Sequence, residues 1–158
     1  MGGAIYVPGN VGRFGINNEY AEWNIYVDPY AAAEVFASGI EIHLTPLDAT
    51  TLVWTTRDDQ IQIQELGNPT SKLVADLLDW LFALIGIDRW TIFDLLAAVN
   101  TTDPHVCDWQ DINLNVETRE GTELGRTFID TSIPNPSKVC LTPDEDAVRS
   151  LIMSVFAH

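Results

Sequence analysis

The sequence predicts an α/β fold: an open, mostly parallel sheet with helices packed on it and a late β-hairpin. Three observations predict it. Residues 2–7, 8–18, 28–39 and 40–44 read in order as strand, loop, helix and strand, the order of a βαβ unit. Apolar residues recur at helical spacing in three later stretches. Residues 111–118 and 124–130 read as two strands joined through Glu120-Gly121.

The elements follow in chain order. Gly9, Gly12 and Gly15 punctuate a loop over 8–18 that matches no phosphate-binding spacing. Residues 20–27, read as extended, place Glu22 and Asn24 on one face and Trp23 and Ile25 on the other. Asp28-Pro29 opens a helix carrying Ala31, Ala32, Val35 and Phe36, and Gly39 ends it. Ile40, Ile42 and Leu44 alternate with polar residues, as in a strand. A loop over 46–51 follows, and the pattern of 53–66 fits strand or helix. Ser71 is expected to cap a helix to Ile85 with Leu73, Val74, Leu77, Leu78, Leu81 and Leu84 on one face. Thr91 is expected to cap a helix through Val99. Thr142-Pro143-Asp144-Glu145 opens a last helix to Ala157 with Val148, Leu151, Ile152 and Val155 inward.

Composition narrows the function. The chain has 158 residues, enough for one core, and carries 23 acidic against 8 basic residues, a net charge of −15. Such a surface repels nucleic acid and anionic membranes. The longest apolar run, 73–87, contains Asp76 and Asp79 and is too short to cross a bilayer. The N-terminus shows no basic, apolar and cleavable series, so a cytoplasmic protein with Cys107 and Cys140 as free thiols is expected. His43, His105 and His158 lie in unrelated contexts, and Asp58-Asp59 reads as a solvated acidic pair.

Four polar residues stand in apolar or Gly-rich surroundings: Asn10, Glu22, Asn24 and Asp94. Side-chain amides beside a carboxylate suit the hydroxyls of a sugar, which both donate and accept. By themselves Asn24 and Asp28 equally fit local turn and cap bonds, and Asp94 fits a helix N-terminal charge.

Gly2-Gly3-Ala4, Pro8-Gly9-Asn10 and Ala21-Glu22-Trp23-Asn24, with Asp28-Pro29 and Asp94-Leu95-Leu96-Ala97-Ala98, resemble the later half of an inosine/uridine-preferring nucleoside hydrolase. Pro46-Leu47-Asp48-Ala49-Thr50 and Gly125-Arg126-Thr127 continue the match. The resemblance implies the C-terminal half of that family's sheet: a single nucleoside hydrolase-like domain over 1–158, without the family's N-terminal half. It implies ribose contacts from Asn10, Glu22 and Asn24, a calcium ligand at Asp94, and a base platform at Phe93 with Trp23. The calcium site is incomplete, because the family's aspartate-rich motif D-x-D-x-G-x-D-D is not in this sequence. Phe93 stands where such enzymes place a histidine; it can stack on a base, purines included, but cannot give a proton.

The activity implied is hydrolysis of the N-glycosidic bond of ribonucleosides, once a complementary N-terminal part completes the site. The alternative is a catalytically inactive truncated paralogue that binds a sugar or a protein. An open sheet edge at residues 2–7 implies either a homo-oligomer or that complementary partner.

Overall fold

The computed structural model describes residues 1–156. After a 3-10 turn at Val11–Phe14, helix α1 (Trp23–Val27) starts where the Glu22 carboxylate accepts from the Asn24 and Ile25 amides. The extended reading of 20–27 is therefore corrected. A capping carboxylate followed two residues later by an amide side chain has the polar spacing of a strand. Asp28 caps α2 (Pro29–Ala37) as expected, with Pro29 at its first position.

Of residues 40–44, only β1 (His43–Leu44) is in a strand. The expected loop over 46–51 contains α3 (Leu47–Thr50), all four residues of which are buried. β2 (Thr55–Thr56) leads into α4 (Arg57–Glu65), so the ambiguous segment is mostly helix. Thr56 and Asp59 form a reciprocal capping box there, and Asp59 is buried rather than solvated.

α5 (Pro69–Ile85) is capped by Asn68, not Ser71; the Ser71 hydroxyl donates back to the Asn68 carbonyl at 3.0 Å. Its buried face is Ser71, Ala75, Leu78 and Phe82, whereas Leu73, Leu77 and Leu84 are exposed. Packing against Ile63 of α4 selects that face. β3 (Arg89–Trp90) pairs antiparallel with β2. α6 (Phe93–Thr102) follows Ile92, so Thr91 sits one residue too early to cap it.

The remaining elements are β4 (Cys107–Ile112), β5 (Leu114–Val116), β6 (Thr127–Ile129), β7 (Ser137–Pro143) and α7 (Glu145–Phe156). β5 and β6 form the late antiparallel hairpin, with Asn115 opposite Phe128. In α7, Val148 is buried and Leu151 and Ile152 half-buried, but Val155 faces solvent; Ala157 and His158 lie outside the described residues.

The α/β class holds, with a mixed central sheet. Its order is β1-β7-β4: β1 runs parallel to β7, and β7 runs antiparallel to β4. Phe36 of α2 packs with Leu44, Leu114 and Val139 on one cluster, while Ala49, Leu96, Val106 and Val148 form another. Residues 2–7 are not a regular strand. Two bonds lay their start beside β1: Gly2 N–H donates to the Thr45 carbonyl at 3.2 Å, and Leu47 N–H to the Gly3 carbonyl at 2.8 Å.

Cys107 and Cys140 are disulfide-bonded, which corrects the free-thiol expectation. The β4–β7 register, with its irregularity between Asp108 and Trp109, brings their Cα atoms to 5.7 Å. A 33-residue separation makes removal of this link cost about 3–4 kcal/mol in the chain-entropy account. Cys140→Ala, with Cys107→Ala to leave no free thiol, is expected to lower the denaturation midpoint accordingly. Mass spectrometry after alkylation without reductant checks the bond itself.

Asp59 also meets Arg149 of α7, tying α4 to the C-terminal helix. Burial pushes the Asp59 carboxyl up, but hydrogen bonds from Arg149 and Thr56 outweigh it and hold it below its ordinary value. A lowered folded value stabilises above the unfolded value near 4 and is lost as pH falls through the folded one. Asp59→Asn is therefore expected to cost about 2 kcal/mol at neutral pH, moderated because Arg149 is partly exposed, and to cost less below about pH 4. Urea melts of both proteins at pH 7 and pH 3 measure this difference.

Candidate ribose- and base-binding site

Asn10, Glu22 and Asn24 are brought together by backbone hydrogen bonds rather than by a shared strand face. Gly9 N–H donates to the Glu19 carbonyl at 2.8 Å, and Asn10 N–H to the Ala21 carbonyl at 3.0 Å. A Cβ on Gly9 would run into the backbone of Ala21, so only glycine allows this approach. The Asn10 Oδ1 then accepts from Trp23 N–H at 2.8 Å, which fixes the loop against the start of α1.

Glu22 is 1% exposed. Its Oε2 accepts from the amides of Gly3 (3.1 Å), Asn24 (3.0 Å) and Ile25 (3.2 Å). Three donors on one oxygen compensate the burial of a carboxylate without a cation. Asn24 is exposed, and its Nδ2 donates to the Met1 carbonyl at 3.4 Å. Trp23 is half-exposed, its ring tilted against Phe14 with centroids 4.4 Å apart. The three polar residues therefore form one short wall, with Trp23 beside it.

Phe93 and Asp94 open α6. Phe93 lines a cavity of about 600 Å³ with Arg13, which follows Asn10 by three residues in the 3-10 turn. Asp94 is exposed and has no hydrogen-bond or salt-bridge partner among the described residues. No group of three or more His, Cys, Asp or Glu among the described residues is arranged to hold a metal ion. Asp48 binds the amides of Ile5 (2.9 Å) and Tyr6 (2.7 Å), and Glu22 is occupied as described. A calcium ion needs six to eight oxygens, so the residues of this chain do not fit one by themselves.

Two structural residues escaped the sequence reading. Asn18 Oδ1 accepts from the Tyr20 and Ala21 amides at 3.0 Å, and its Nδ2 donates to the Leu124 carbonyl at 2.8 Å. Asp48 anchors residues 5 and 6. An asparagine in a Gly-rich turn was a signal for the first; the second stands in the matched stretch 46–50, but its bonds to the amides of residues 5 and 6 are non-local. His43 Nε2 lies within hydrogen-bond distance of Glu41 Oε1, at 2.7 Å, and its ring meets Trp109 edge-on.

Two amide side chains and a buried carboxylate thus meet at a loop-to-helix junction of the α/β fold and make up the candidate site. The family model for inosine-uridine preferring nucleoside hydrolase matches residues 1–150, and the chain belongs to that family. It is 42% identical over 154 residues to the pyrimidine-specific ribonucleoside hydrolase RihA of Salmonella newport (strain SL254), covering 93% of this chain and 50% of that protein. RihA of Shewanella sp. (strain MR-7) is 31% identical, with 92% and 49% covered. Among solved structures, the purine-preferring ribonucleoside hydrolase from Gardnerella vaginalis superposes with a TM-score of 0.83 at 28% identity, over 99% of this chain and 50% of that one. The inosine-uridine preferring enzyme from Bacillus anthracis gives 0.78 at 28%, over 99% and 49%. The chain thus spans about half the length of the relatives it matches.

Glu22 is first a scaffold here. Glu22→Ala is expected to destabilise the chain by about 1–3 kcal/mol through three unpaired amides, while Glu22→Gln, which keeps an acceptor, loses less. Thermal melts of the two variants separate these outcomes.

Proposed function

We propose that residues 1–158 form one domain that supplies the ribose wall and base platform of a ribonucleoside hydrolase. The reaction is cleavage of the N-glycosidic bond to ribose and free base. The observation carrying this reading is the junction at which Asn10, Glu22 and Asn24 converge beside Trp23. Asn10 and Glu22 hold the backbone in place, and Asn24, exposed at the start of α1, is the group offered to a sugar hydroxyl.

Phe93 supplies an apolar face for the base. Asp94 offers one carboxylate towards a calcium ion that this chain does not hold by itself. Hydrolysis therefore requires the half of the family fold that this chain does not span.

A chimera tests this. The first half of the Salmonella RihA is joined to Met1 of this chain, replacing that relative's own second half. The chimera is expected to release free base from uridine or inosine, and the 158-residue chain alone to release none. Asn24→Ala in the chimera is expected to lower kcat/KM about 5–150-fold, the equivalent of about 1–3 kcal/mol for a lost substrate hydrogen bond. A folded chimera without activity, or one indifferent to Asn24→Ala, would count against the reading.

A further inference from the structure

Helix α5 is apolar on two sides. Ser71, Ala75, Leu78 and Phe82 face inward, the last three against Ile63 of α4. Leu73, Leu77, Trp80 and Leu84 stand in solvent, 61%, 56%, 62% and 66% exposed. At about 100° per residue, this second row lies roughly 160° around the helix axis from the first. A surface helix ordinarily carries polar residues on that side. The charged residues of α5, Lys72, Asp76 and Asp79, all fall outside the exposed row, and Asp79 is engaged by Arg57.

The exposed residues follow one another at four, three and four positions, the alternating spacing of the seam between two helices. The row is also symmetric about its midpoint, between Leu78 and Asp79. A two-fold axis through that point lays α5 antiparallel on a copy of itself. Leu73 then stands opposite the partner's Leu84, and Leu77 opposite the partner's Trp80. Such a contact is isologous: one surface meets itself, and the assembly closes at two copies.

The area suffices for a reversible pair. Each leucine presents on the order of 100 Å² of apolar surface, and the tryptophan more. Two copies bury on the order of 900 Å² at these four positions, and the flanking Val74, Leu81 and Ile85 carry the contact towards the ~1,200 Å² at which specific interfaces begin.

We propose that the exposed row of α5 is the surface through which two copies of this chain pair, antiparallel and in this register. The pairing goes beyond the ribose-wall reading and does not depend on it. The net charge of −15 on each copy opposes it, so the contact tightens as salt screens that repulsion.

Sedimentation of the purified 158-residue chain tests this. A monomer–dimer equilibrium is expected with a dissociation constant of about 1–100 µM, tighter at about 0.5 M salt than at about 0.05 M. Leu77→Lys makes each copy less negative but places an unpaired ammonium in the seam, and is expected to weaken pairing at least about 100-fold. Tyr30→Lys, the same charge change at an exposed position of α2, is expected to leave pairing within about twofold. Melting curves show that both variants fold. The register is read by mild oxidation of Leu73→Cys mixed with Leu84→Cys. The mixture is expected to crosslink between copies, and Leu73→Cys alone is not, because position 73 lies about 16 Å along the axis from the partner's position 73. A chain still monomeric at about 200 µM, the upper end of concentrations at which so small an interface forms, overturns the proposal. So does pairing indifferent to Leu77→Lys, pairing weakened equally by Tyr30→Lys, or crosslinking of Leu73→Cys to itself. A monomeric chain whose Leu77→Lys variant inactivates the RihA chimera shows instead that the first half of the relative covers this row.

Discussion

One carboxylate oxygen, Glu22 Oε2, accepts hydrogen bonds from the amides of Gly3, Asn24 and Ile25. Two of those donors start helix α1, and the third belongs to the N-terminal segment. Gly3 in turn gives its carbonyl to Leu47, and Gly2 donates to Thr45. Through these bonds the carboxylate joins α1, residues 1–4 and the end of β1 into one unit. Gly3 takes φ +84, a conformation that glycine adopts without strain, and this directs its amide at the oxygen. Without an anion at this point, the buried Gly3 amide and the part-buried amides of Asn24 and Ile25 would lose their common acceptor.

The polar residues of the wall divide their labour accordingly. Asn10 commits its Oδ1 to Trp23 N–H and keeps its amide nitrogen unbonded among the described residues. Glu22 is almost wholly enclosed, and Asn24 stands outside. Rigid backbone bonds therefore hold the side chains that meet solvent, which is the arrangement a site needs if binding is not to begin with ordering its own wall. Arg13 and Phe93, from two distant parts of the chain, line one cavity that none of the three wall residues borders.

What the sequence made legible was local. α2 is read correctly because Asp28 and Pro29 act within four residues of each other. The β5–β6 hairpin follows from alternation around a turn. Errors arose where tertiary contacts choose among local options. Glu22 and Asn24 have strand spacing, and the bond to Gly3, nineteen residues away, settles the helix cap. The leucines of α5 form a plausible stripe, but Ile63 selects the Ala75 and Phe82 face. The Cys107–Cys140 link depends on β4 meeting β7, which no spacing of two cysteines encodes. The candidate site residues stand out in the sequence as polar types in apolar or Gly-rich surroundings, whereas their division into backbone holders and solvent-facing groups depends on non-local bonds such as that of Glu22 with Gly3.

The pairing of β1 with β7 also bears on how the chain acquires its shape during synthesis. His43 meets Lys138, so the parallel pair closes only after most of the chain has been made. Helix α2 and the α4–α5 pair involve near neighbours and form earlier, whereas non-local pairing is slow and waits on loop closure. On the ribosome, β1 and the segment beside it therefore remain without β7 until β7 itself has emerged. Over that interval the β1 edge lacks its β7 partner and is open to other strands, while the net charge of −15 opposes the approach of a second copy of the chain.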